Sequence, residues 1–336
     1  MAVRDSALDF VRGMLVIGML ICHATYPFIL TDTIRVFIFP GLFGFVSGSW
    51  VMISGFIIGT YYRPKFSSAR AVVTRRLIDR GCRLVAIFAV ANVLLGQISL
   101  TCDLAPGFRD CDVVNVFLLG DLSGQAFEIL LGIGYLLIVS PAFLWWPRLA
   151  VVASSIVFML VAAAPFMHSR LTTLAWIFTC GSIGIITGSL VTPRYLGRLL
   201  SEPQLRRRAA VLAAGVWIGY TWLYAADMIH GYTNIAYPAY VMSLLAMLYL
   251  VSPWIRVQDW AGRELIFMAR YPLLAYLVQM GILRALWLLV PGPSPYKSFP
   301  VVLAVALVLL LVSLHGVDYL RGRFGPVDKA YLAVFG

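Results

Sequence analysis

Apolar residues run along this chain in long blocks and do not alternate with polar ones. About ten stretches of roughly 16 to 25 residues can be laid on it, each matching the length that a hydrocarbon core of about 30 Å asks of a helix. They are Phe10 to Leu30, Phe37 to Tyr61, Leu84 to Leu100, Gly124 to Trp146, Leu149 to Met167, Leu171 to Val191, Ala209 to Ala226, Ile235 to Ile255, Pro272 to Val290 and Phe299 to Leu314. Strands of a membrane barrel would alternate lipid-facing and lumen-facing residues, which these blocks do not. The pattern therefore predicts an all-α, polytopic helical bundle. No repeat, low-complexity stretch or linker divides it, so one integral domain over residues 1–336 is expected.

Composition agrees: 61% of the 336 residues are apolar and only 12% are charged, with a mean hydropathy of +0.89. A soluble two-domain enzyme is excluded. The net charge of +11 comes from basic residues in the connections between apolar blocks, with no aromatic-interleaved groove of the kind nucleic acid needs. If the N-terminus is cytoplasmic, the opposite side receives only Arg35, Arg109, Arg170, Arg284 and Lys297. The positive-inside rule thus places both termini in the cytoplasm of a multi-pass inner-membrane protein. A long first block without a small-residue cleavage site predicts a retained helix.

Cys102 and Cys111 bracket an outer connection that contains Pro106-Gly107, and a disulfide is expected there if that side is an oxidising periplasm. Cys22, Cys82 and Cys180 read as small packing residues. No paired histidines at helical spacing and no Cys-His constellation predict a metal site. Nor is there a phosphate-binding glycine loop or a nucleophilic serine motif.

The informative residues are the polar ones inside apolar blocks, because a charge near a helix centre costs about 2.5–3.5 kcal/mol on insertion scales. Arg12 and His23 stand eleven apart in the first block. At 100° per residue they return to one stripe, with roughly 16 Å of rise between them. Function competes here with a plainer account in which Arg12 snorkels to headgroups and His23 bonds a neighbouring helix. Asp9 can pair with Arg12 at i, i+3. Arg76, Arg80 and Arg83 recur at i, i+4 and i+7 on one helix face entering the third block. Such a face either meets anionic headgroups or presents planar forks to a phosphorylated ligand. Glu128 is an acidic residue inside the fourth block, able to orient a base or to accept hydrogen bonds at the outer boundary. Asn92, Gln97 and Gln279 read as hydrogen-bond links between helices, and His168 and His315 as helix-end residues that water satisfies.

Leu8-Asp9-Phe10-Val11-Arg12-Gly13 followed by His23 resembles the leading motif of the acyltransferase-3 family and the wider transmembrane acyltransferase superfamily, an arginine and a histidine separated by ten residues. Val51 to Phe56, with Ser54-Gly55, is similar to the family's Ser-Gly-aromatic signature, and Arg80-Gly81-Cys82-Arg83 to its Arg-x-x-Arg motif. The likeness covers roughly the first hundred residues well. It is weaker at Gly262-Arg263-Glu264 and Leu274 to Gln279, where Gln279 stands in the place many members give to histidine. Arg4-Asp5 leans toward the osmoregulated periplasmic glucan succinyltransferases, though no soluble outer domain accompanies it.

The resemblance implies an O-acyltransferase that moves a succinyl or acetyl group from cytoplasmic acyl-coenzyme A to a hydroxyl of a glycan outside the membrane. It implies that Arg12, Arg76, Arg80 and Arg83 hold the nucleotide end, that His23 is the general base, and that Ser54 and Glu128 assist. Direct transfer and a covalent acyl-enzyme both remain open. The other reading is a transporter or flippase for an anionic or glycan substrate, in which His23 and Glu128 couple a proton.

Overall fold

The computed structural model describes residues 5–28, 45–98, 128–146, 148–149, 152–153, 156, 169–191, 193–225, 237–254, 259–289 and 295–335. Every regular element among them is helical. The α-helices are α1 (Ser6–Phe28), α2 (Phe45–Ile57), α3 (Arg63–Phe66), α4 (Arg70–Ile98), α5 (Glu128–Trp145), α6 (Ser169–Leu190), α7 (Pro193–Ser201), α8 (Pro203–Ala225), α9 (Tyr237–Val251), α10 (Trp260–Met268), α11 (Pro272–Leu289), α12 (Pro295–Arg323) and α13 (Gly325–Phe335). Among the described residues, four helical stretches are long and apolar enough to cross a membrane: Ser6–Thr25, Phe45–Phe66, Pro272–Leu289 and Phe299–Arg323. Ile129–Trp145 and Phe178–Leu190 are shorter apolar helices.

The helices depart from the expected blocks where charge and helix propensity part company. α4 begins fourteen residues before the apolar block at Leu84, because nothing between Arg70 and Arg83 stops a helix and Arg75 faces Asp79 one turn on at 3.8 Å. α12 likewise runs past Leu314 to Arg323. α10 and α13 lie outside the apolar blocks altogether. Most of the block Leu149 to Met167, and the loop with Cys102 and Cys111, lie outside the described residues.

Residue contacts group the chain into two compact units, one of Met1–Val46, Leu200–Ile229 and Ser243–Gly336, the other of Ser47–Leu199 and His230–Met242. In the first, α1 packs on α10, α11 and α12. The closest approach is at Gly13, where a Cβ would overlap the backbone carbonyl of Leu265 on α10. Asp5 caps α1, its carboxylate accepting from the Ala7 and Leu8 amides at 3.0 and 3.2 Å, and the Tyr249 hydroxyl of α9 donates to its other oxygen at 3.1 Å.

The start of α11 is tied to α12 and α13 through Tyr271. Its hydroxyl donates to the Asp318 carboxylate and accepts from Arg321 at 3.2 Å. Arg321 in turn donates to Asp328 of α13 at 2.8 Å and lies 3.8 Å from the Tyr331 ring centre. His315, expected to be satisfied by water, instead meets Glu264 at 2.9 Å and stacks on Phe267.

In the second unit, α2 and α6 pack backbone against backbone. A Cβ at Gly55 would overlap the Gly181 carbonyl, one at Gly184 the Met52 carbonyl and one at Gly188 the Phe56 carbonyl. Apolar lipid tails give two apolar helices little reason to associate, so dispersion across so close a contact is what holds the pair. α4 and α5 meet through Gly81 and Gly134, whose Cβ positions are filled by Ile138 and Val85.

Gly184→Val is expected to cost about 1–3 kcal/mol by overpacking, whereas Gly215→Ala on α8, which meets nothing within 4 Å, leaves stability unchanged or raises it by up to about 1 kcal/mol. Thermal melts of the two variants in one detergent compare them. A second prediction concerns alkali. Burial, then the bond to Asp318 and its charge, push the Tyr271 phenol from 10.0 to about 12, with Arg321 pulling the other way. The folded state keeps a proton that the unfolded chain releases, so this stabilisation is whole below about pH 10 and is lost as pH climbs through about 12. Between those limits the melting point of the wild type should fall more steeply than that of Tyr271→Phe.

Candidate functional site

α1 carries two of the sequence-predicted residues on one stripe. Near its start, Arg12 lies 3.7 Å from Asp9 at the expected i, i+3 spacing; the Asp9 side chain is nearly buried and that of Arg12 is partly exposed. Three turns on, half-buried His23 faces α11. Its ring stacks on Tyr276 at 5.6 Å between centres with 20° between planes, and Nδ1 lies 3.2 Å from Nε2 of Gln279. Tyr276 and Gln279 share a face of α11 at i, i+3, so one helix supplies both contacts.

Gln279 is 1% exposed, and its Oε1 has no hydrogen-bond partner among the described residues. The sequence reading of Gln279 as a link between helices is met, with His23 as the partner. Asn92, read the same way, instead donates to the Phe88 carbonyl of its own helix at 3.0 Å. The Gln97 side chain lies outside the described residues.

The arginine face belongs to the other unit. Arg76, Arg80 and Arg83 are all exposed along the first half of α4, and Arg70 beside them lies 3.9 Å from the centre of the Trp145 ring. Arg80 donates to the Tyr62 hydroxyl at 3.2 Å. Tyr62 closes a π-helical turn, Ile58–Tyr62, between α2 and α3. The turn is held to α6 by the Thr60 hydroxyl, which donates to the Gly188 carbonyl at 3.0 Å, and by Arg63, which donates to Ser189 at 3.1 Å. Wider turns of this kind re-aim the residues that follow and recur at functional sites. Nothing in the residue pattern marked this one.

The remaining predicted residues also fall in the second unit. Ser54 donates to the Trp50 carbonyl one turn back at 2.8 Å, the bond that an intrahelical serine makes for itself. Its lone pairs stay able to accept. Glu128 opens α5, and its side chain lies outside the described residues. The Cys102–Cys111 pair lies outside them as well. Among the described residues no group of three His, Cys, Asp or Glu side chains is placed to hold a metal ion.

The arrangement around His23 can position a single imidazole, with one face stacked and one nitrogen bonded across helices. Sequence reading found His23 from its place in an apolar block. It missed the role of Tyr276, a residue type too common in such blocks to stand out.

Asp5 sets where this helix begins. Asp5→Ala should cost about 1 kcal/mol through the two capped amides, and Asp5→Ser should restore most of that while removing the carboxylate oxygen that faces Tyr249. Chemical denaturation in mild detergent separates the three proteins.

No family model, curated protein or solved structure matches this chain.

Proposed function

We propose that this chain is a multi-pass membrane O-acyltransferase that takes a succinyl or acetyl group from acyl-coenzyme A and passes it to a hydroxyl of a glycan on the far side of a bacterial inner membrane. The observation that carries the reading is the environment of His23. An imidazole placed eleven residues beyond Arg12 on an apolar helix, stacked on Tyr276 and bonded by Gln279, is costly to keep unless it is used. The resemblance of Arg12, His23, Ser54, Arg80 and Arg83 to the acyltransferase-3 pattern supplies the chemistry.

In this mechanism the hydroxyl oxygen attacks the thioester carbonyl while His23 takes its proton. The tetrahedral intermediate then expels the coenzyme A sulfur, which receives that proton, so an ester and a free thiol replace an alcohol and a thioester. Histidine suits the task because its ordinary titration lies near neutrality. Arg76, Arg80 and Arg83 supply charge-assisted bonds to the phosphates of the nucleotide, and Tyr62 steadies Arg80. Arg12 offers a further cation on the His23 stripe. Ser54 and Glu128 are assigned assisting roles only, to the carbonyl and to the base.

The test is binding and thiol release from acetyl- and succinyl-coenzyme A by the purified protein. His23→Ala should bind as wild type and lose about 10²–10⁴-fold in release, whereas Arg80→Ala and Arg83→Ala should each weaken binding about tenfold or more. A wild type that binds neither thioester sinks the proposal and leaves the proton-coupled transporter in its place.

A further inference from the structure

A general base must give its second ring nitrogen something to donate to. A neutral imidazole carries one N–H, and the nitrogen that takes the substrate's proton has to be the bare one. Once that proton is taken, both nitrogens carry N–H and both donate. The group facing the far nitrogen must therefore accept before the step and still accept after it. In His23 that far nitrogen is Nδ1, and the group facing it is the amide of Gln279, 3.2 Å away.

The Gln279 amide stands with nitrogen toward His23 and oxygen without a partner among the described residues, in a side chain that is 1% exposed. An amide nitrogen only donates, so this orientation places the imidazole proton on Nε2 and makes Nδ1 the acceptor. It also leaves the buried carbonyl oxygen without a partner among the described residues. A half-turn of the amide presents Oε1 to Nδ1 in the same volume and turns the N–H groups to where Oε1 stood, so it is the needs of the imidazole, and not the tally of satisfied amide atoms, that chooses between the two orientations. The stacking of His23 on Tyr276 opposes the alternative adjustment, a turn of the imidazole itself.

We propose that Gln279 is a positioning residue for the base. Its Oε1 accepts the Nδ1 proton of His23, fixes the tautomer with a bare Nε2, and keeps its partner when Nε2 becomes protonated. This inference rests on the acyl-transfer reading only for its kinetic consequence; the tautomer itself can be read without turnover.

The experiment is nitrogen NMR of the full-length protein in lipid bilayers with ¹⁵N-labelled histidine, the His23 signals being identified by their loss in His23→Gln. In the wild type the proton is expected on Nδ1. In Gln279→Leu that tautomer should no longer dominate, and in Gln279→Glu, which can only accept, it should return. Gln279→Met serves in place of Gln279→Leu if that variant does not fold. In thiol release, Gln279→Leu should lower kcat about 10²–10⁴-fold with KM for the thioester within about twofold, and Gln279→Glu should recover much of the loss. A wild type with its proton on Nε2 overturns the inference, even if it turns over acyl-coenzyme A. A wild type with its proton on Nδ1 that releases no thiol keeps the hydrogen bond and removes the acyl-transfer reading.

Discussion

Where water is absent, a polar group that lacks a partner inside the protein has none at all, and the described structure is organised by that scarcity. Backbone groups answer it by staying helical in every regular element. Several side chains answer it locally: Ser54, Asn92, Thr25, Thr221 and Ser313 all return a hydrogen bond to the carbonyl four residues back. The bond between His23 and Gln279 is different in kind. It spans two helices, joins two costly side chains, and makes the register of α1 against α11 matter chemically as well as sterically.

Glycine supplies the complementary device. With the side chain removed at Gly13, Gly55, Gly184 and Gly188, backbones approach until the next carbonyl occupies the space a methyl would take. Contact of that closeness gives dispersion without any apolar driving force, and it fixes depth as well as distance. Gly13 follows Arg12 directly, so the contact that sets α1 against α10 also sets the height of the arginine. The Tyr271 cluster does the same for α11 from the other direction, holding the residue just before it to α12 and α13 ahead of Tyr276 and Gln279 at His23.

The residue pattern showed the helical class and, to within a few residues, the limits of α1, α6, α9 and α11. It could do so because apolar length is a property of each block alone. It undershot α4, whose charged first half is helical for reasons of propensity and i, i+4 pairing, and α12, which continues through a short charged end, and it passed over α10 and α13. At the site, His23 and Arg12 were visible because polar residues in apolar blocks are few. Tyr276 was not, and Gln279 was seen only as a link between helices, because naming a partner 256 residues away takes the fold.

The π-helical turn at Ile58–Tyr62 is geometrically an insertion: five residues where a regular turn uses fewer. Upstream of it the phase of the helix is fixed by the glycine contacts of α2, while downstream Tyr62 and Arg63 obey a shifted phase. Loss of a single residue there would rotate Tyr62, the partner of Arg80, by about 100° without disturbing the packing before it. A segment built this way lets the glycine-packed helix before it and the basic segment after it be set independently. A small length change at this position would therefore re-aim Tyr62, and with it the side chain of Arg80.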